Sequence, residues 1–146
     1  MNVGHACTRG AVTVPLSAPL AEVAQIMCDQ HVGAVVVTEA PLDRPVVVGI
    51  ITDRDIVRAQ LQHAADLSRL RTGDVMTRDP LVLNEQESIG GAIDRLRARG
   101  VRRAPVISTS GMLIGVVSID DLLVQVSQQL QNLALLVSYQ QSRESR

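Results

Sequence analysis

The chain has 146 residues, 46% of them hydrophobic, with a formal net charge of −1. That balance fits a globular unit with a substantial core rather than a disordered segment. Every basic side chain is Arg, Phe and Trp are absent, and Tyr139 is the sole aromatic residue. A P-loop or Schiff-base lysine is thereby excluded, single-stranded nucleic acid would find no rings to stack on, and duplex DNA would meet no net positive charge.

The N-terminus, Met1-Asn2-Val3-Gly4-His5, shows no basic region followed by an apolar stretch, and no apolar run approaches the roughly 18 residues a membrane helix needs. A cytoplasmic chain without membrane contact is the expectation. Cys7 and Cys28 form no CxxC pair and His5, His31 and His63 have no metal-ligand spacing, so no metal site is expected. A short strand is predicted over residues 12–14. A helix follows, with Leu20, Val23, Ala24 and Met27 on one apolar face and Pro19 suited to its first turn. Cys28 falls on the apolar side of that helix and is expected to be a buried, inert thiol. Two β-branched runs, 32–38 and 46–52, predict a strand pair, and a second helix closes the copy.

Residues 62–74 are polar and charged and suggest a connector with some helix in it. The same order then recurs: a strand over 81–83, a helix capped by Ser88, strands over 101–108 and 113–118 joined through Thr109-Ser110-Gly111, and a closing helix. Residues 6–37 align without gaps on 75–106, Thr8-Arg9 falling on Thr77-Arg78 and Val32 on Val101. After a longer loop in the first copy, 49–57 aligns on 115–123. The predicted fold class is therefore α/β, a β-α-β-β-α repeat present twice and packed face to face. The predicted segments are 1–66 for the first repeat with its N-terminal segment, 67–126 for the second with its linker, and 127–146 for a helical extension and a polar tail.

Leu122, Val126, Leu130, Leu133 and Val137 recur at three- and four-residue spacing along that last helix. The stripe serves either as a coiled-coil-like dimer seam or as a face packed back on its own domain. The tail from Ser138 is polar and expected to fray. Arg95, Arg97 and Arg99 are expected on a solvated helix face. Arg102 and Arg103, at a strand entry, are the better phosphate candidates.

The recurring chemistry lies where the last strand of each copy meets its helix. Gly49-x-x-Thr52-x-x-Asp55 and Gly115-x-x-Ser118-x-x-Asp121 each place a Gly for close backbone approach, then a hydroxyl at a helix start, then a carboxylate one turn on. A helix start favours phosphate, and the carboxylate can accept hydrogen bonds from vicinal ribose hydroxyls. The same Thr/Ser-x-x-Asp pattern is also a capping box that merely satisfies free N–H groups. Its occurrence twice in register favours a nucleotide site.

At these residues the sequence resembles the tandem cystathionine β-synthase (CBS) domain pair, or Bateman module, over residues 6–126. The run from Thr52 to Val57 is similar to that of small stand-alone bacterial CBS proteins, including mycobacterial hypoxic-response proteins. The resemblance implies a non-catalytic regulatory module that binds an adenosine nucleotide such as AMP, ADP or ATP as a regulatory ligand rather than a cofactor. It also implies a homodimer, an unidentified protein partner and, by analogy, a stress or energy-status role. Carried over by position, one site takes Thr52, Arg54 and Asp55 for the ribose phosphate, with Met76, Leu81, Val101 and Arg102 around the base. The other takes Ser118, Asp120 and Asp121, with Cys7, Val12, Val32 and Gly33 around the base. Arg54 against Asp120 makes the first site the tighter and the more tolerant of extra phosphates. The other reading of the chain is an interaction or structural protein of this family whose pockets bind nothing.

Overall fold

A computed structural model describes residues 1–41, 43–63 and 66–145. Helix α1 (Val3–Ala6) and strand β1 (Thr8–Arg9) open the chain, followed by β2 (Thr13–Pro15), α2 (Leu20–Gln30), β3 (Ala34–Glu39), β4 (Val46–Thr52) and α3 (Asp53–His63). The second passage repeats this order as α4 (Thr72–Val75), β5 (Thr77–Arg78), β6 (Leu83–Asn84), α5 (Ile89–Arg99), β7 (Arg103–Ile107), β8 (Leu113–Ser118) and α6 (Ile119–Glu144). Residues 64 and 65 of the expected connector lie outside the described residues. Among the described residues no helix is long and apolar enough to cross a membrane.

Both expected β-α-β-β-α units are present. In each, two parallel strands are joined through a helix, as a parallel pair requires, and an antiparallel partner follows (β2-β3-β4 and β6-β7-β8). The middle strands begin two residues later than the apolar runs suggest. Val32 and Val101 belong to helix terminations, their N–H groups donating to Met27 and Leu96 carbonyls at 3.1 Å. His31 and Gly100 before them adopt the left-handed conformation (φ 54° and 64°) typical of such ends. Ser88 caps α5 by accepting from Gly91 N–H at 3.0 Å.

Each sheet has four strands, and the fourth comes from the other half. The orders are β1-β8-β7-β6 and β2-β3-β4-β5. The N-terminal segment thus adds to the second sheet and the middle segment to the first. Val3 N–H donates to Glu87 and Gly4 N–H to Glu85, while Thr72 N–H donates to Ala18 and Gly73 N–H to Leu16, at 2.9–3.0 Å. The cores follow this exchange. Val3 is fully buried with Leu83, Leu96 and Val117, whereas Met76 joins Leu20, Val23 and Ile51. Leu67 and Leu70 of the expected connector, and Val75 just after it, pack against the first core, and Thr72 is fully buried with its hydroxyl donating to Ala18 O at 2.9 Å.

Cys28 departs from the sequence expectation, and the α6 stripe rules out one of its two alternatives. Cys28 is exposed, because the core face of α2 is centred on Leu20, Val23 and Met27 and leaves Cys28 about 100° from its middle. The stripe on α6 does not fold back on its own domain: Leu122 is buried, but Val126, Leu130, Leu133 and Val137 are exposed. The tail also stays helical through Glu144, while residue 146 lies outside the described residues.

The exchange explains both motif glycines. A Cβ on Gly115 would run into the Thr8 backbone, its carbonyl first and its carbonyl carbon at 2.9 Å, and one on Gly49 would meet Met76 Sδ and the Thr77 carbonyl at 2.9 Å. Gly115→Ala should therefore lower stability by about 1–3 kcal/mol in urea unfolding. Gly90→Ala, in a helix with open space at its Cβ, should be neutral or stabilising by up to about 1 kcal/mol. Equal effects would refute the close-approach account.

Candidate functional site

The two exchanged corners frame two related cavities. The first, about 320 Å³, is bounded on one side by Ile50, Thr52, Asp53, Arg54 and Asp55, from the end of β4 and the start of α3. Its other side comes from the second half: Thr77, Pro80 and Leu81 ahead of β6, and Arg99, Val101, Arg102 and Arg103 where α5 gives way to β7. The second cavity, about 260 Å³, mirrors it. Val116, Ser118, Asp120 and Asp121 stand at the β8–α6 corner, facing Thr8, Gly10, Ala11, Val12, Val32, Gly33 and Ala34, with Arg103 entering again.

At both corners the hydroxyl and the carboxylate grip each other's backbone. Asp55 N–H donates to Thr52 Oγ1 at 3.2 Å and Thr52 N–H to Asp55 Oδ2 at 2.9 Å. Ser118 and Asp121 repeat the pair at 3.2 and 2.8 Å, and Ser118 Oγ also donates to Asp121 Oδ2 at 2.9 Å. These are complete capping boxes. They also commit only one oxygen of each carboxylate while holding the residue at the cavity wall. Helix starts are tied to the facing strand entries too, through Asp53 N–H to Gly33 O (3.1 Å) and Ile119 N–H to Arg102 O (2.8 Å).

The cavities differ in charge. Arg54, Arg99, Arg102 and Arg103 face Asp53 and Asp55 in the first; Arg103 alone faces Asp120 and Asp121 in the second. An anion is favoured in the first, where cations outnumber acids. The uncharged wall residues are aliphatic side chains, glycines and the hydroxyls of Thr8, Thr52, Thr77 and Ser118, with no aromatic ring among them.

Of the residues singled out from the sequence, Thr52, Arg54, Asp55, Leu81, Val101 and Arg102 line the first cavity, and Ser118, Asp120, Asp121, Val12, Val32 and Gly33 line the second. Met76 and Cys7 line neither. Met76 is buried in the first core against Gly49, and Cys7 lies half-buried at the edge of the second core with Sγ 3.6 Å from Gly4 O. Burial pushes the Cys7 thiol above its usual range.

Arg99 is exposed, as expected, and also lines the first cavity, donating to Asp79 O at 2.8 Å. Arg97 keeps the expected exposed position, 3.6 Å from Asp94, and Arg95 pairs with Glu87. Thr8 and Thr77, Ala11 and Pro80, and Ile50 and Val116 are wall residues that sequence reasoning missed. The internal repeat was the available signal, because each pair aligns.

The CBS-domain family model matches residues 3–62 and 73–127. The chain belongs to the CBS-domain family. Curated relatives include uncharacterised proteins of Methanopyrus kandleri (28% identical, covering 84% of this chain and 61% of the relative) and Acidianus ambivalens (33%, covering 83% and 70%). The chain thus spans less than two thirds of the first of these. Among solved structures, a CBS-domain-containing protein of Agrobacterium tumefaciens aligns with TM-score 0.73 at 29% identity, covering 84% of this chain and 90% of that one. Hypoxic Response Protein I aligns with TM-score 0.69 at 28% identity, covering 83% and 95%. CBSX2 in complex with AMP aligns with TM-score 0.70 at 22% identity, covering 89% and 98%, and shares the fold.

The capping role of the CBS corners is testable without any ligand. Ser118→Ala should cost about 0.5–2 kcal/mol in denaturant unfolding. An unchanged midpoint would contradict the reciprocal bonding.

Proposed function

We propose that this CBS-domain pair is a non-catalytic regulatory module that binds an adenosine-type nucleotide between its halves and signals its level to a protein partner. The observation that carries the proposal is the paired construction of the cavities. Each takes a Thr/Ser-x-x-Asp corner from one half and an aliphatic wall from the other, so a bound molecule bridges the two halves. A ligand in that position favours one relative orientation of the halves, which is how occupancy could reach a partner. The AMP complex of CBSX2 brings an adenosine ligand to this chain as a proposal. Thr52 and Ser118 then stand at the phosphate, with Arg54 beside Thr52; Asp55 and Asp121 take the ribose hydroxyls through their uncommitted oxygens. Val101 with Leu81, and Val32 with Val12, sandwich the base.

A second reading has one observation in its favour: the capping boxes are already closed within the chain. On that reading the corners are caps only, and the chain is an interaction protein whose cavities bind nothing. Thermal melting with AMP, ADP, ATP, NAD and S-adenosylmethionine separates the two. A ligand at about 100 Kd contributes about 2.7 kcal/mol and raises Tm by several degrees. No shift from any of them leaves the interaction protein.

The first cavity is the tighter and accepts more phosphates. Asp55→Ala should weaken nucleotide binding on the order of ten- to a hundredfold, and Asp121→Ala should affect only a weaker class of sites. Equal losses would remove the asymmetry. The same proposal includes a homodimer, with the exposed stripe of α6 as the surface left for it. Sedimentation equilibrium should give twice the chain mass, and the chain mass alone would reject the dimer.

A further inference from the structure

Among the described residues, Arg103 is the one that lines both cavities. It stands on β7 opposite Ser118, whereas the equivalent position on β3, opposite Thr52, holds Ala34. The cation therefore has no counterpart from the first half. Its guanidinium crosses to the first half at Gly33: a Cβ on that glycine would lie 3.0 Å from Arg103 Nη1 and 3.4 Å from Asp53 Oδ2. The absent side chain at position 33 makes the room. The ion pairs among the described residues are Arg95–Glu87 and Arg97–Asp94, so none of the carboxylates around the cavities, Asp53, Asp55, Asp120 or Asp121, fastens Arg103.

We propose that Arg103 is shared between the two nucleotide sites and makes their occupancy antagonistic. The inference rests on the nucleotide reading above and adds a coupling residue and a sign. A fixed cation between two anions would attract each independently and would couple nothing. A guanidinium on a flexible stem turns its forked donors toward one anion at a time. The first cavity keeps Arg54, Arg99 and Arg102 when Arg103 is elsewhere, and it fills first. Once its phosphate has drawn Arg103 over, the second cavity retains Asp120 and Asp121 with no cation, and an anionic ligand there is disfavoured. The second site then responds at higher nucleotide levels than it would alone, which widens the concentration range over which the module changes state. Linkage requires the effect to be mutual.

The test is calorimetric titration with ADP of four full-length proteins: wild type, D55A (first site weakened), R103Q, and the R103Q/D55A double variant. In the wild type the second Kd should be about five- to tenfold weaker than the Kd of the second site measured in D55A, within the usual range of such couplings. In the R103Q background the corresponding ratio should fall below about twofold. R103M, which keeps an apolar stem against Gly33, should behave as R103Q and guards against a local packing loss. A wild-type ratio near one, a ratio that survives R103Q and R103M, or a second site that takes no ADP in D55A each overturns the shared-arginine proposal and leaves nucleotide binding at the first site standing. ADP bound by none of the four proteins overturns the nucleotide reading as well.

Discussion

The close passage of one half's opening strand across the other half's last strand is the contact on which the rest of the molecule depends. At Gly115 the Thr8 backbone occupies the space a side chain would need, and at Gly49 Met76 and Thr77 do the same. Removing the Cβ at two positions lets β1 join the second sheet and β5 the first. Each core is then closed by residues that lie far away in the sequence, Val3 in one and Met76 in the other. The edges of β8 and β4 that each half would otherwise leave open are paired, over two residues each, by β1 and β5.

The cavities are a by-product of that interlock. An opening strand that crosses over carries its following residues, Ala11-Val12 or Pro80-Leu81, to the far half's helix start. A capping corner, which in isolation would be a local device for satisfying free N–H groups, thereby acquires an aliphatic wall opposite. In the proposed nucleotide site, stability and binding draw on the same atoms. The carboxylates anchor the corner with one oxygen, and the surrounding arginines decide how much negative charge the space accepts.

Departures from two-fold repetition are where the two cavities differ. Arg54 against Asp120 and Arg102 against Gly33 place the cation on the first cavity's side of the pair, while Arg103 against Ala34 places one between the two. The backbone of the two corners is nearly the same, so charge rather than shape separates them.

The sequence by itself determined the α/β class, the duplication, the paired Thr/Ser-x-x-Asp corners and about half of the residues that line the cavities. These are recorded in short-range patterns: strand and helix periodicity, a hydroxyl followed by a carboxylate at a helix start, and a gapless internal alignment. Only the tertiary structure decided which half each opening segment serves, because two-residue strands carry no periodicity and their partners are set by a contact across the fold. For the same reason Met76 and Cys7 were assigned to walls they do not form, and Cys28 to a core that ends beside it. Which way a side chain faces depends on what stands opposite it, and that is a long-range fact.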